Sequence, residues 1–194
     1  MGVDRGDRRV SVKIMPAPYA SELERLLEHA RTHLGAGDDA LLAEANHAVN
    51  QALQLAPDSV EAWLLKCQVA SATGDDLAAL AAVEMAAREG PHRTECQYWR
   101  GAVLGDLGRH REALHSIEDA LRGLDQGDGE HWLTEDLYFE KMTILDALGL
   151  HDAAVTACSE GLSKCPGSAL LRAALAPAER ARVRGTLRVL RGGK

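Results

Sequence analysis

The side chains whose types alone suggest chemistry are few. His29 and His33 stand four residues apart. That spacing puts two imidazoles on one helix face and makes half of a metal site. The sequence places no third ligand near them, so neither a metal nor any other cofactor is expected. Asp125, Asp128 and Glu130, in a Gly-rich stretch, resemble the carboxylates of a calcium loop. The spacing fails, because Gly127 and Gly129 hold ligand positions and Glu130 stands where the turn glycine belongs. That stretch reads as a solvated insertion. Cys67, Cys96, Cys158 and Cys165 form no C-x-x-C pair and lie in Ala- and Leu-rich patterns, so free buried thiols are expected. The sequence has no phosphate-cradling glycine motif, no nucleophile elbow and no paired acid–base constellation. The reading is non-catalytic, with no catalytic residue assigned.

The elements that must position any site are helices. Among 194 residues there are 32 Ala and 28 Leu against 14 Val plus Ile and one Phe. Helix formers dominate, and the residues that suit strands are scarce. An all-α domain is expected. No apolar run approaches the length of a membrane span, and no apolar stretch follows the basic residues near the start. A soluble, cytoplasmic protein is the expectation, bacterial from its Ala/Arg/Gly-rich composition. The net charge of −7 is unevenly spread. Residues 1–20 carry +2, residues 168–194 carry +6, and the acidic middle carries −15. An acidic body argues against nucleic acid as a partner.

The chain also repeats. Gly74 and Gly108, Ala79 and Ala113, Val83 and Ile117, and Ala86 and Ala120 are each 34 residues apart, as are Pro57 and Pro91. Past Ala120 the spacing becomes 41, as between Gly108 and Gly149, with the extra residues in Gly123–Gly129. Gly37 leads Gly74 by 37, so the first unit carries about three extra residues between its helices. Each unit reads as two helices. In the second these are Trp63–Thr73 and Leu77–Arg88, with Gly74-Asp75-Asp76 as the turn. Ala79, Ala113 and Ala154 let paired helices approach, facing Cys67, Gly101 and Met142. A capping box, Ser21-x-x-Glu24, and the stripe Leu23, Leu26, Leu27, Ala30, Leu34 place the leading helix of the first unit.

The 34-residue period, with Glu61-Ala62-Trp63, Gly74, Ala79, Ala86 and Pro91 in one unit, resembles the tetratricopeptide repeat family. Gly101, Leu104, Gly108 to Ala113 and Ala120 carry the likeness in the next unit; Leu145, Gly149, Ala153-Ala154 and Pro166 carry it in the last. The resemblance implies a right-handed solenoid of about four helix-turn-helix repeats at 23–59, 60–93, 94–127 and 135–168, within a domain spanning 21–168. A basic, proline-containing extension, expected to be flexible, precedes it at 1–20. A loop insertion near 123–134 interrupts it, and a capping helix with a basic tail follows at 169–194. Lys66, Arg100 and Lys141 depart from the family, which has a buried Leu there. Their stems are expected to lie on apolar surface with the charge in solvent. His110 and His151 replace a turn aromatic and read as packing residues.

The resemblance further implies that the first helices of the repeats line a concave peptide-binding groove. One column down those helices is Leu27, Leu64, Tyr98 and Phe139; another, three residues earlier, is Glu24, Glu61, Glu95 and Asp136. Asp106, Asp146, Gln68 and Thr143 fall further along the same faces. One reading is an apolar ladder edged by carboxylates, fit for a protein segment with apolar anchors and basic residues. The other is that the acids answer the helix dipole and the ladder is core. Leu64 and Gln68 replace the Lys and Asn of the family's clamp for acidic tails, which disfavours that ligand class.

Beyond Pro177, Val183, Leu187 and Leu190 form an apolar stripe, and Arg180, Arg184, Arg188 and Arg191 a basic one. This is either a cap for the last repeat, or a contact for a membrane surface or an acidic partner, or an arm reaching the protein's own groove. The functional expectation is an adaptor or chaperone-like binding module. The alternatives are a structural assembly or oligomerisation subunit that uses this tail, and more narrowly a secretion-substrate chaperone. Trp132 either opens the fourth unit or is an exposed contact.

Overall fold

The structure is a computed structural model that describes residues 17–36, 38–90, 93–128 and 133–192. The side chains of 17, 18 and 185–192 are not described. Expectations for residues 1–16, Gly37, Pro91, Gly129, Glu130 and Trp132 lie outside these residues. So do those for the side chains of Leu187, Arg188, Leu190 and Arg191.

Among the described residues there are nine α-helices and no strand. They are α1 (Ala17–Leu34), α2 (Asp39–Leu55), α3 (Val60–Ala72), α4 (Asp76–Glu89), α5 (Thr94–Asp106), α6 (His110–Asp125), α7 (Leu133–Ala147), α8 (His151–Lys164) and α9 (Ala169–Gly192). Short polar residues start several of them. Asp38 accepts the N–H groups of Ala40 and Leu41, Ser59 that of Ala62, and Asp75 that of Ala78. The turn inside a repeat is closed by Gly74, Gly108 and Gly149, with φ of 75°, 72° and 75°. This left-handed conformation is open to glycine without strain, which explains their periodic recurrence.

Each helix packs on the next, and the odd helices also touch in series: α1 on α3, α3 on α5, α5 on α7 and α7 on α9. No two even helices are in contact among the described residues. The chain is therefore an all-α repeat solenoid whose stack curves toward the odd helices. The core runs between them as four apolar clusters, centred on Val49, Val83, Ile117 and Cys158. α9 takes the next odd position and covers the last hairpin with Leu171, Ala174, Leu175 and Ala178. Its helix runs through Pro177, which is exposed.

Close approach depends on small residues, as expected at Gly101. A Cβ there would meet Ile117 Cδ1 at 2.5 Å and the carbonyl of Ala113 at 3.3 Å. Cys67, Cys96 and Cys158 are buried free thiols, and Cys165 is half-buried. Burial pushes the Cys67 thiol up to about 12 and the Cys96 thiol to about 11, so neither forms a thiolate at neutral pH.

Three local expectations need correction. First, α1 begins at Ala17, so Ser21 lies inside it and does not cap it. Pro18 falls in its first described turn, where a proline gives up no helical hydrogen bond. Second, Lys66 and Arg100 do not simply extend their charge into solvent but turn it, half-buried, onto the neighbouring helix. Lys66 Nζ donates to Asn46 Oδ1 at 2.6 Å and Asn50 Oδ1 at 2.8 Å, bridging α3 to α2. Arg100 donates to Ser116 Oγ at 2.7 Å, bridging α5 to α6. Burial lowers the Lys66 pKa, and the two amide oxygens hold the ammonium, with no carboxylate paired to it among the described residues.

Third, the insertion after repeat three is not merely solvated. α6 continues through Gly123 to Asp125, the chain turns at Gly127, and Asp128 returns to the start of α5. Asp128 Oδ2 accepts the Thr94 N–H at 3.0 Å, and its carbonyl accepts the Thr94 hydroxyl at 2.6 Å. Arg93, at the N-cap position, makes no side-chain cap bond, so the insertion supplies the cap that the local sequence lacks. Asp128→Ala is expected to cost about 1–2 kcal/mol, since it strips a cap and leaves the nearly buried Thr94 less satisfied. Urea denaturation of the variant against wild type checks this, and Asp128→Asn, which keeps an acceptor, should recover most of the loss.

Candidate interaction groove

The inner face divides into two regions of different charge. Between α1, α3 and α5 lies a cavity of about 380 Å³. Leu64 and Leu65 form its floor, and Arg31, Glu61, Gln68, Arg93, Glu95 and Trp99 form its walls. Arg31 donates to Glu61 across the α1–α3 seam, and Trp99 meets Tyr98 edge-on at 5.1 Å between ring centroids. Trp99 Nε1 is buried and has no hydrogen-bond partner among the described residues.

Between α5 and α7 the groups are acidic. Burial pushes the carboxyls of Asp106, Asp136 and Glu140 above the usual range, and neighbouring carboxylates push them further. Asp76 acts on Asp106, Glu135 on Asp136, and both Asp106 and Asp136 on Glu140. Burial, then Asp136 and Glu140, raise the Tyr98 phenol in the same way. These carboxyls lie close enough to feel one another, partly out of water. A cation placed among them would relieve both penalties at once.

The structure separates the predicted columns. Leu27 and Leu64 are 5 % and 2 % exposed, packed inside the clusters of the first two repeats. They offer a partner almost no surface, because the tight stacking of α1 on α3 closes over them. Tyr98 and Phe139 are half-buried and keep an accessible edge. Of the acidic column, Glu24 is exposed, Glu61 is paired with Arg31, Glu95 lines the cavity, and Asp136 joins the acidic region. Asp146 is drawn across the turn, its Oδ1 2.7 Å from His151 Nδ1, which makes it a turn contact. Gln68 lines the cavity, and Thr143 is exposed on α7. In the tail, Arg180 and Arg184 are exposed.

Arg31, Arg93, Trp99 and Glu140 were not singled out from the sequence. Tyr98 and Trp99 are adjacent, so a column reading with one residue per turn takes the first and misses the second. Glu140 follows Phe139 in the same way.

No family model matches the sequence, and no curated protein matches it. Solved structures do share its fold. A crystal structure of MamA protein superposes with a TM-score of 0.66 at 18 % identity, over 88 % of this chain and 87 % of that one. A thermophilic tetratricopeptide-repeat protein of Thermus thermophilus gives 0.69 at 22 %, over 80 % of each chain. An O-GlcNAc transferase mutant of Thermobaculum terrenum gives 0.63 at 22 %, over 77 % of this chain but 27 % of that one. The chain thus has the fold of the tetratricopeptide-repeat solenoids. Among the described residues, no helix is long and apolar enough to cross a membrane.

Proposed function

We propose that the chain is a non-catalytic protein-interaction module that holds a segment of another protein along its inner face. The segment carries apolar anchors and at least one Lys or Arg. One observation supports this above the others: the cluster of Asp106, Asp136 and Glu140 beside the half-buried ring of Tyr98, with the half-buried Phe139 one residue before Glu140 on α7. An anchor lying on those rings brings its neighbouring cation among carboxyls already stripped of part of their water. The reading extends to an adaptor or chaperone-like role in the cytoplasm, with micromolar affinity, about −8 kcal/mol.

A second reading uses the tail. Val183 is 53 % exposed beside Arg180, Arg182 and Arg184 on α9, which suits an acidic partner or surface in an assembly. Selection from a displayed library of random 12- to 16-residue peptides on the immobilised full chain separates the two. The groove reading expects enrichment of peptides that pair a large apolar residue with Lys or Arg, and their loss from Tyr98→Ala/Phe139→Ala. Peptides that bind this variant undiminished, but are lost when the chain is ended after Ala176, would move the function to the tail.

A further inference from the structure

The strongest unassigned group lies on the first hairpin, away from the groove. His29 and His33 project from α1, and Glu44 meets them from α2. One ligand atom from each lies within 4.8 Å of the others. The sequence spacing supplied two of these ligands; the fold supplies the third.

The hydrogen bonding defines what the site needs. His33 Nδ1 lies 2.8 Å from the carbonyl oxygen of His29. A carbonyl only accepts, so Nδ1 carries the hydrogen. A neutral His33 therefore turns the Nε2 lone pair toward Glu44 Oε2, 3.2 Å away. Two acceptors at that distance repel unless a cation stands between them. A proton on Nε2 would join His33 to Glu44 alone. A metal ion would also take the His29 ring, which lies tilted at 35° to that of His33 with 4.1 Å between centroids.

The remaining features favour the metal. An N–H donated to a backbone carbonyl is the usual support of a metal-bound imidazole, since it fixes the ring and its tautomer. Ligand atoms around a four-coordinate zinc ion are about 3.3 Å apart, given bond lengths of about 2.0–2.1 Å. The His33–Glu44 separation already matches, and the exposed His29 can close by a change of rotamer. His47, one turn beyond Glu44, lines a cavity of about 440 Å³ together with His29 and Glu44. That leaves room for water or a further imidazole to complete the shell.

We propose that His29, His33 and Glu44 bind a divalent cation of the zinc type, which ties α1 to α2. Imidazole with a single carboxylate suits zinc and its neighbours better than calcium or magnesium, which prefer all-oxygen shells. The ion stabilises the hairpin that carries the extra residues between its helices, and thereby the α1 face that presents Arg31 to the groove.

The test is calorimetric titration of zinc chloride into the full chain after EDTA treatment and dialysis. A Cys165→Ser background removes the one thiol that is not buried. One equivalent should bind and raise the melting temperature. Glu44→Gln, His33→Ala and His29→Ala should each weaken binding by at least about ten-fold and abolish the thermal shift. His115→Ala, an exposed histidine on α6, should change neither. Glu44→Gln decides the matter if an alanine variant misfolds, because it keeps the size and polarity of an exposed side chain. Unchanged zinc affinity in Glu44→Gln, or no saturable uptake by the folded wild type up to about 1 mM, a binding energy of only about −4 kcal/mol, would overturn the proposal.

Discussion

Replacing Gly161 by leucine should detach the last helix from the stack. Gly161 sits in α8 where α7 and α9 converge. Even a Cβ there would lie 2.6 Å from Tyr138 Cβ and 2.8 Å from Leu171 Cδ1. Leu171 is fully buried, and its carbonyl accepts the Cys158 thiol while its N–H reaches Ser168 Oγ, so it has little freedom to retreat. Overpacking of this kind costs about 1–3 kcal/mol and more as the inserted group grows. Gly161→Leu is expected to cost about 3 kcal/mol or more. Gly161→Ala should also destabilise, by about 1 kcal/mol, although alanine is the better helix former by about the same amount. Gly105→Ala provides the contrast, since its Cβ would meet only Ile144 Cγ1 at an ordinary 3.9 Å and the variant should be the more stable protein. Stacked repeats unfold from their ends. Hydrogen exchange in α9 should therefore quicken in Gly161→Leu before α3 or α5 responds. Equal stability of Gly161→Ala and Gly105→Ala would show that α9 is not seated as described.

The second large effect links stability to binding. Glu140 has a raised pKa from burial and from Asp106 and Asp136, so the folded state prefers it protonated. An acid whose folded pKa is raised contributes stability at low pH, and that contribution is lost as pH climbs from the ordinary carboxylate range through the raised value. At neutral pH the charge is a net cost to the fold. Glu140→Gln should accordingly melt higher than wild type at pH 7, by an amount on the order of 1 kcal/mol at most, and the advantage should vanish near pH 4. The same substitution removes a charge from the place assigned to a ligand's cation. It should weaken a selected basic peptide about ten- to a hundred-fold. Thermal melts at the two pH values and peptide titration on one preparation read both halves. If Glu140→Gln melts as wild type does at both pH values and binds the peptide as well, the acidic cluster is an ordinary solvated surface.

The hairpin architecture was legible because it rests on a strict local requirement. A turn that needs left-handed backbone selects glycine, and the spacing of Gly74, Gly108 and Gly149 records it. The small residues at Ala79, Ala113 and Gly101 record helix approach in the same way. What the sequence hid were contacts made across the stack. Asp128 caps a helix that begins 34 residues earlier, and no local pattern marks that pairing. Glu44 reaches His33 from another helix, on a face set by how α1 rolls against α2. The apolar ladder shows the ambiguity most clearly. Leu27 and Tyr98 occupy equivalent positions, yet one is sealed and the other accessible. How tightly successive hairpins stack is decided by the neighbours on both sides, and a column read down the sequence carries no measure of it.

The contact pattern of the stack has a mechanical meaning. Odd helices touch one another in series and even helices do not. Resistance to squeezing is thus concentrated along the inner line, while the outer edges meet nothing when the arc straightens. Such a body behaves as a leaf spring whose stiff layer lies on one side. Its softest deformation is a change of curvature, shared in small increments over the hairpin junctions. A segment held along the inner face, as proposed above, would therefore meet a channel whose breadth can adjust through small changes in arc.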